Sequence, residues 1–119
     1  MLHGDTNELN EKLMECNLIK NFKHPNICKF ESYFVTGKVL CILNEFCDKG
    51  DLEIYIKNQN GLPISESRIK KFILEILLAI NFLHNYDIIH RDLKPSNLFL
   101  KGKDYQINIG DFGEAAGCG

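Results

Sequence analysis

The sequence predicts an α+β fold, in which helical and β-rich segments lie in separate stretches of the chain. Apolar residues after Pro63 recur at helical spacing over about four turns, which predicts one long helix. Two runs rich in β-branched and aromatic residues, Ile27–Val35 and Lys38–Phe46, flank Thr36-Gly37 and predict a β-hairpin. Short apolar segments separated by turn residues follow position 87 and predict short strands.

The composition is that of an ordinary globular protein. The 119 residues are 45% hydrophobic and 25% charged, and 14 Lys and Arg oppose 16 Asp and Glu for a net charge of −2. This balance argues against nucleic acid or an anionic membrane as a partner. The N-terminal residues lack the pattern of a signal peptide, and no apolar run is long enough to span a bilayer. We therefore expect one domain in the cytoplasm or nucleus, with its oligomeric state undetermined.

The cysteines predict neither a disulfide framework nor a zinc site. Their number is odd and they form no C-x-x-C pair. We expect small, partly apolar thiols in a reducing compartment at all five positions, which are Cys16, Cys28, Cys41, Cys47 and Cys118.

Residues that can cap a helix N-terminus occur at three places in the chain. Asp5 or Thr6 can cap a first helix, which ends before His24-Pro25-Asn26 because proline disfavours helix at the preceding residue. Asp51 can cap a short helix that ends at Ile56 or Lys57, and a polar loop follows it. Ser65 can cap the long helix, which ends at His84-Asn85. Its apolar stripe is expected to be buried and comprises Ile69, Phe72, Ile73, Ile76, Leu77, Ile80 and Leu83.

The three C-terminal strand segments are Ile88-Ile89, Leu98–Leu100 and Tyr105–Ile109. The alternation Gln106-Ile107-Asn108-Ile109 predicts a half-buried strand.

Two motifs carry the chemistry. His90-Arg91-Asp92-Leu93-Lys94-Pro95-Ser96-Asn97 fits H-R-D-L-x-x-x-N, and Asp111-Phe112-Gly113 follows fourteen residues after Asn97. A carboxylate, an ammonium and an amide on one short loop can orient a hydroxyl, neutralise phosphate charge and bind Mg²⁺. Asp-Phe-Gly alone is a common turn, and His-Arg-Asp alone could be a salt-bridged loop. Their combination at this spacing is improbable by chance.

The whole chain resembles part of a protein kinase catalytic domain. The resemblance implies a partial two-lobed fold with helix C, strands 4–5, the hinge, helices D–E, the catalytic loop, strands 7–8 and D-F-G. It assigns residues 1–43 to the N-lobe, 44–50 to the gatekeeper and hinge, and 51–119 to the C-lobe.

The resemblance implies ATP and Mg²⁺ as cofactors and a protein with a Ser or Thr acceptor as substrate. Asp92 would orient the hydroxyl and accept its proton, and Lys94 would contact the γ-phosphate. Asp-Leu-Lys-Pro is typical of serine/threonine kinases. Asn97 and Asp111 would hold Mg²⁺.

Further roles follow from the same resemblance. Backbone groups of Glu45 and Cys47 would bind adenine, which Leu52 and Phe99 would contact, and Asp51 would bind ribose. Glu15 would be the ion-pairing glutamate of helix C, Asn44 the gatekeeper, and Arg91 the receptor of an activation-loop phosphate. The apolar column that links the lobes would comprise Ile19, Phe30, His90 and Phe112. The segment Phe46–Leu52 resembles NIMA-related kinases.

Some kinase features are missing from these 119 residues. We find no G-x-G-x-x-G, no Val-Ala-x-Lys strand before Glu15 and no Ala-Pro-Glu motif, and Glu114 and Asn44 are unusual at their positions. We therefore expect the isolated chain to be unstable and inactive. Three interpretations remain: a portion of an active serine/threonine kinase, a non-catalytic kinase-like binding module, or an unrelated α+β interaction domain with coincidental motifs.

Overall fold

The structure is a computed structural model that describes residues 10, 13, 17, 20–110, 116 and 117. The predicted first helix, with Glu15 and Ile19, falls mostly outside the described residues, as do Asp111 and Phe112. The chain divides into two compact units. One unit includes Lys29–Glu45, and the other includes His24–Cys28 and the chain from Phe46 onward.

The first unit contains an antiparallel hairpin of β1 (Phe30–Thr36) and β2 (Val39–Asn44). The turn between the strands places Gly37 at a φ of 61°, a conformation that glycine adopts without strain. The predicted hairpin is confirmed, but the first strand is shorter than predicted. Ile27 instead forms an isolated parallel bridge with Ile109 in the second unit.

The second unit begins with two capped helices, α1 (Leu52–Lys57) and α2 (Glu66–Asn85). Asp51 accepts a hydrogen bond from the backbone of Ile54, and Ser65 accepts one from Arg68, so both predicted caps are confirmed. Three short strands and a 3₁₀ turn follow: β3 (Ile88–Ile89), the turn Pro95–Asn97, β4 (Leu98–Lys101) and β5 (Gln106–Ile109). Antiparallel pairs join β4 to β5, and β3 to β6 (Ala116–Gly117).

The core of the second unit lies around the β4–β5 hairpin and one side of α2. Its fully buried side chains include Ala79, Leu83, Leu100, Ile107 and Ile109. The α2 stripe is buried less completely than predicted, since Ile73 and Leu77 are 52% and 57% exposed. Periodicity identifies an apolar face but not how much of its width a neighbour covers.

Strand β5 is buried on both faces, so the prediction of a half-buried strand is wrong. Asn108 is only 2% exposed, and its amide donates to the carbonyl of Pro25 at 3.1 Å. The Asn26 amide in turn donates to the carbonyl of Ile107 at 2.9 Å. Residues 25–27 therefore cover the edge of β5, and these buried amides satisfy backbone groups there.

Across the part of the chain that the structure describes, no helix is both long and apolar enough to cross a membrane.

Candidate active site

The loop between β3 and β4 carries the H-R-D-L-x-x-x-N motif. Arg91 is exposed and has a φ of 74°, a left-handed conformation that costs a non-glycine residue roughly 1–2 kcal/mol. Asp92 follows directly, and the 3₁₀ turn Pro95–Asn97 returns the chain to β4. Strain of this kind persists where surrounding contacts fix the backbone, and the neighbours of Asp92 supply such contacts.

His90 is the first of these contacts. It is 3% exposed, and its Nδ1 accepts a hydrogen bond from the backbone N–H of Asp92 at 3.2 Å. Because Nδ1 is the acceptor, a neutral imidazole carries its proton on Nε2. That Nε2 lies 2.7 Å from the carbonyl of Gly110 and donates to it. One buried side chain thus links the backbone at Asp92 to the residue that precedes Asp111.

Asn97 is the second contact. It is 4% exposed, and its side-chain nitrogen donates to the backbone carbonyl of Asp92 at 2.7 Å and to the carboxylate Oδ2 at 3.2 Å. The backbone N–H of Gly110 donates to the carbonyl of Asn97 at 3.0 Å. His90 and Asn97 therefore hold both Asp92 and Gly110. The Asn97 amide oxygen is the atom that remains suited to a hard cation.

Lys94 completes the group. Its Nζ lies 3.7 Å from Oδ1 of Asp92, and its side chain is 55% exposed. A pair this exposed contributes little to stability, since solvent screens it and side-chain entropy opposes it. The arrangement presents one carboxylate between a cation and an amide donor. It can accept a proton from a hydroxyl while an adjacent ammonium offsets negative charge.

The proposed nucleotide residues of the second unit lie around β4. Asp51 forms an isolated bridge with Phe99, and its Oδ1 caps α1 through Ile54. Cys47, Leu52 and Phe99 are all half-buried. The Phe99 ring packs so closely on Gly110 that an added Cβ there would lie 2.6 Å from it. Any side chain at position 110 would therefore clash with the Phe99 ring, which explains why glycine precedes Asp111.

The remaining predicted site residues either belong to the first unit or lie outside the described residues. In the first unit, the Glu45 carboxylate accepts from the backbone of Lys29 at 2.8 Å, and Asn44 is exposed in β2 opposite Phe30. Glu15, Ile19, Asp111 and Phe112 lie outside the described residues.

Glu75 is a positioning residue that the sequence reasoning did not single out. Its Oε1 accepts from the backbone of Ile107 at 3.2 Å and from Lys71 Nζ at 3.4 Å. It therefore connects α2 to β5. The available signal was an acidic residue among the apolar residues of a predicted amphipathic helix.

Two titrating groups outside the catalytic loop are perturbed. Burial lowers the pKa of the His24 imidazole, because burial disfavours its charged form. A hydrogen bond from the backbone of Gly102 lowers the pKa of the Asp48 carboxyl. Among the described residues, no group of three or more His, Cys, Asp or Glu side chains forms a metal site.

Comparison with known proteins identifies the fold that holds this loop. Residues 2–118 match the protein kinase domain family. The chain belongs to this family. The alternative of an unrelated α+β interaction domain is therefore wrong. A solved structure of the yeast RNA Pol II CTD kinase CTDK-1 complex is similar to this chain, with a TM-score of 0.77 and 28% sequence identity. The match covers 91% of this chain and 35% of the chain in that structure. This confirms the partial kinase fold.

Relatives of the kinase domain point to the serine/threonine class. Cell division control protein 7 of Schizosaccharomyces pombe is 39% identical over 102 residues, which are 86% of this chain and 9% of that protein. Serine/threonine-protein kinase Nek3 of Mus musculus is 39% identical over 101 residues, or 85% of this chain and 20% of that protein. The chain thus spans a fifth or less of these relatives. The resemblance to NIMA-related kinases agrees with the Nek3 match, while the equal identity to the yeast protein keeps the subfamily a prediction.

Proposed function

We propose that this kinase domain belongs to a serine/threonine protein kinase that transfers the γ-phosphoryl group of Mg-ATP to a Ser or Thr hydroxyl of a protein. The observation that carries the proposal is the Asp92 carboxylate between Lys94 and Asn97, with oxygen–nitrogen distances of 3.7 and 3.2 Å. Family membership supports this interpretation of the loop. The donor set fits Mg²⁺, which prefers carboxylate and amide oxygens.

In this proposal, the Asp92 carboxylate binds the Ser or Thr hydroxyl of the protein substrate. Its carboxylate orients the hydroxyl oxygen toward the phosphorus and accepts its proton as the new bond forms. The hydrogen bonds from Asn97 and to His90 fix the loop in advance, so little reorganisation is needed during transfer. Lys94 stabilises the charge of the transferred group.

Asn97 and Asp111 would hold Mg²⁺, which when bound neutralises phosphate charge. Backbone groups of Glu45 and Cys47 would bind adenine, Leu52 and Phe99 would contact it, and Asp51 would bind ribose. We further propose regulatory or structural roles for Glu15, Asn44 and Arg91, and for the apolar column given above. We place the protein in the cytoplasm or nucleus, with a protein substrate and with no nucleic-acid or membrane partner.

The test is phosphoryl transfer by the full-length protein, using radiolabelled ATP and a library of Ser and Thr peptides. Asp92→Asn should abolish transfer while nucleotide affinity stays within about threefold, because the variant removes a base and leaves the nucleotide contacts intact. Asp87→Asn is the matched control. Asp87 is exposed at a φ of 58°, which asparagine tolerates, and it lies outside the site.

Each result has a defined meaning. Wild-type turnover in Asp92→Asn would show that the role of Asp92 is wrong. Asp111→Asn should weaken Mg-ATP binding, and an unchanged affinity would contradict its metal role. Nucleotide binding by the wild-type protein without transfer to any peptide would favour the alternative, a non-catalytic kinase-like binding module.

A further inference from the structure

Two thiols of the second unit lie in direct contact. The sulfur atoms of Cys28 and Cys47 are 4.0 Å apart, and both side chains are half-buried. Both residues are thiols in this structure, as is Cys41. Nineteen positions separate Cys28 from Cys47, so the contact arises from the fold and not from adjacency in the chain.

The backbone around each cysteine is anchored to the same β4–β5 hairpin. The N–H of Cys28 donates to the carbonyl of Ile109 at 2.9 Å, which ties Cys28 to β5. The segment after Cys47 is tied to β4, because Lys49 N–H donates to Leu100 at 3.0 Å and Leu100 N–H donates to Gly50 at 2.8 Å. Neighbouring strands of one hairpin therefore fix the separation of the two cysteines.

The hydrogen bonds also orient the sulfur atoms. The Cys28 thiol donates to the carbonyl of Asn108 at 3.6 Å. With that proton directed at Asn108, the Cys28 sulfur is left as the acceptor toward Cys47, whose thiol can donate to it. These contacts hold the sulfur atoms of Cys28 and Cys47 side by side.

We propose that Cys28 and Cys47 form a site of reversible oxidation that closes to a disulfide in the presence of a peroxide. A disulfide bond is about 2.0 Å long, so the sulfur atoms, now 4.0 Å apart, must approach by about 2 Å for the bond to form. Cys41 provides a contrast within the same protein. It lies in β2 opposite Phe34, so its cross-strand neighbour is an aromatic ring.

The chemistry balances with hydrogen peroxide as the oxidant. One thiol gives up its proton, and the thiolate attacks a peroxide oxygen, so that an S–O bond forms and the O–O bond breaks. A sulfenic acid results, and the departing hydroxide takes up the thiol proton to leave as one water. The second sulfur then attacks the sulfenic sulfur, so that the S–S bond forms and the S–O bond breaks. The sulfenic hydroxyl leaves as a second water with the proton of the second thiol. Two thiols lose two electrons in total, and the peroxide gains them.

The experiment uses full-length protein in which Cys16 and Cys118 are replaced by serine. After hydrogen peroxide treatment and N-ethylmaleimide blocking, trypsin and Glu-C release Cys28 in the peptide His24–Lys29. The same digestion separates Cys41 from Cys47 by cleavage after Glu45. Mass spectrometry should find the Cys28 peptide joined to the Cys47 peptide with two hydrogen atoms lost. Reduction should restore both peptides.

Matched variants decide the result. Cys41→Ser should keep the link, while Cys28→Ser and Cys47→Ser should lose it. The link between Cys28 and Cys47 should exceed any link to Cys41 by roughly tenfold, since the fold already brings the sulfur atoms of Cys28 and Cys47 into contact. Serine at position 28 can still donate to Asn108, which favours folding of that variant.

Two results would overturn the proposal. One is a peroxide-treated protein whose Cys28 and Cys47 react with N-ethylmaleimide as fast as in the untreated protein. The other is a link to Cys41 as abundant as the link between Cys28 and Cys47. Both results come from protein with Cys28 and Cys47 intact, so they hold even if a serine variant does not fold. Neither requires kinase activity.

Discussion

The side-chain amide of Asn97 donates to the backbone carbonyl of Asp92 at 2.7 Å and to its carboxylate Oδ2 at 3.2 Å. A residue that the kinase resemblance assigns to Mg²⁺ is thus also a structural support for the proposed proton acceptor. The two roles use different atoms of one amide, because the nitrogen serves Asp92 and the oxygen suits a cation.

The first prediction concerns this amide. Asn97→Ala should lower the free energy of unfolding by about 1–3 kcal/mol, because it leaves the Asp92 carbonyl without its buried donor. Asn97→Asp should destabilise the loop as well, since it places one carboxylate beside another. Urea unfolding of the full-length protein measures both. Ser96→Ala is the nearby control, and an Asn97→Ala variant as stable as this control would contradict the structural role.

The second prediction separates activity from stability at Lys94. Lys94→Met should reduce turnover by about 10²–10³-fold, because it removes the ammonium group that is proposed to stabilise the negative charge of the transferred phosphoryl group. Stability should change by less than about 0.5 kcal/mol, since the side chain is 55% exposed. Lys57→Met, at an exposed lysine paired with Glu53, is the control and should keep full activity. Full turnover in Lys94→Met would rule out the proposed phosphate contact.

The third prediction concerns the space at Gly110. Gly110→Ala should destabilise the protein by about 1–3 kcal/mol, because the new Cβ would lie 2.6 Å from the Phe99 ring. Phe99→Leu should recover part of that loss in the double variant, and a double-mutant cycle on unfolding free energies measures the coupling. Gly102→Ala is the control, since its φ of 77° carries a conformational cost with no atom within 4 Å of the new Cβ. Additive effects of Gly110→Ala and Phe99→Leu would contradict the steric explanation.

The fourth prediction is a pH dependence at His24. Burial lowers its folded-state pKa below the ordinary value of 6.5, so the unfolded chain binds more protons between the two values. The contribution of His24 to the free energy of unfolding is therefore complete above about pH 7. It is lost as the pH falls from about 6.5 through the folded-state pKa. Protonation also removes the Nδ1 acceptor of the hydrogen bond from Asn26 N–H at 3.0 Å.

Urea unfolding between about pH 7.5 and pH 5 checks this dependence. His24→Asn keeps a side-chain acceptor and cannot be protonated in this range, so its unfolding free energy should fall less steeply on acidification. Parallel pH profiles for the two proteins would show that His24 does not contribute.

Local signals in the sequence predicted most of the second unit. Asp51 and Ser65 cap helices where predicted, because a cap depends only on residues within one turn. The bridge between Ile27 and Ile109 could not be predicted in this way, since it pairs residues more than eighty positions apart. Burial of Asn108 follows from that same pairing, which is why a polar residue in an alternating strand was wrongly expected to face solvent.

The site shows the same division between motif and fold. The motif indicated which side chains of the loop carry chemistry, and family membership supports that interpretation. It did not reveal that His90 connects Asp92 to Gly110, because the pairing of β4 with β5 brings those ends together. Glu75 was overlooked for a similar reason, since its acceptor role depends on how α2 packs on β5.

The unequal burial of Lys94 and Asn97 bears on how natural variants of the gene should be interpreted. Asn97 is 4% exposed and supports the loop, so selection for folding alone would retain it even in a protein that had lost catalysis. Lys94 is largely exposed and supports little structure, so selection for folding would not retain it, whereas selection for its proposed contact with phosphate would. Lysine at position 94 across a population would therefore indicate a working enzyme, whereas drift there with Asn97 intact would indicate a folded protein that no longer transfers phosphate.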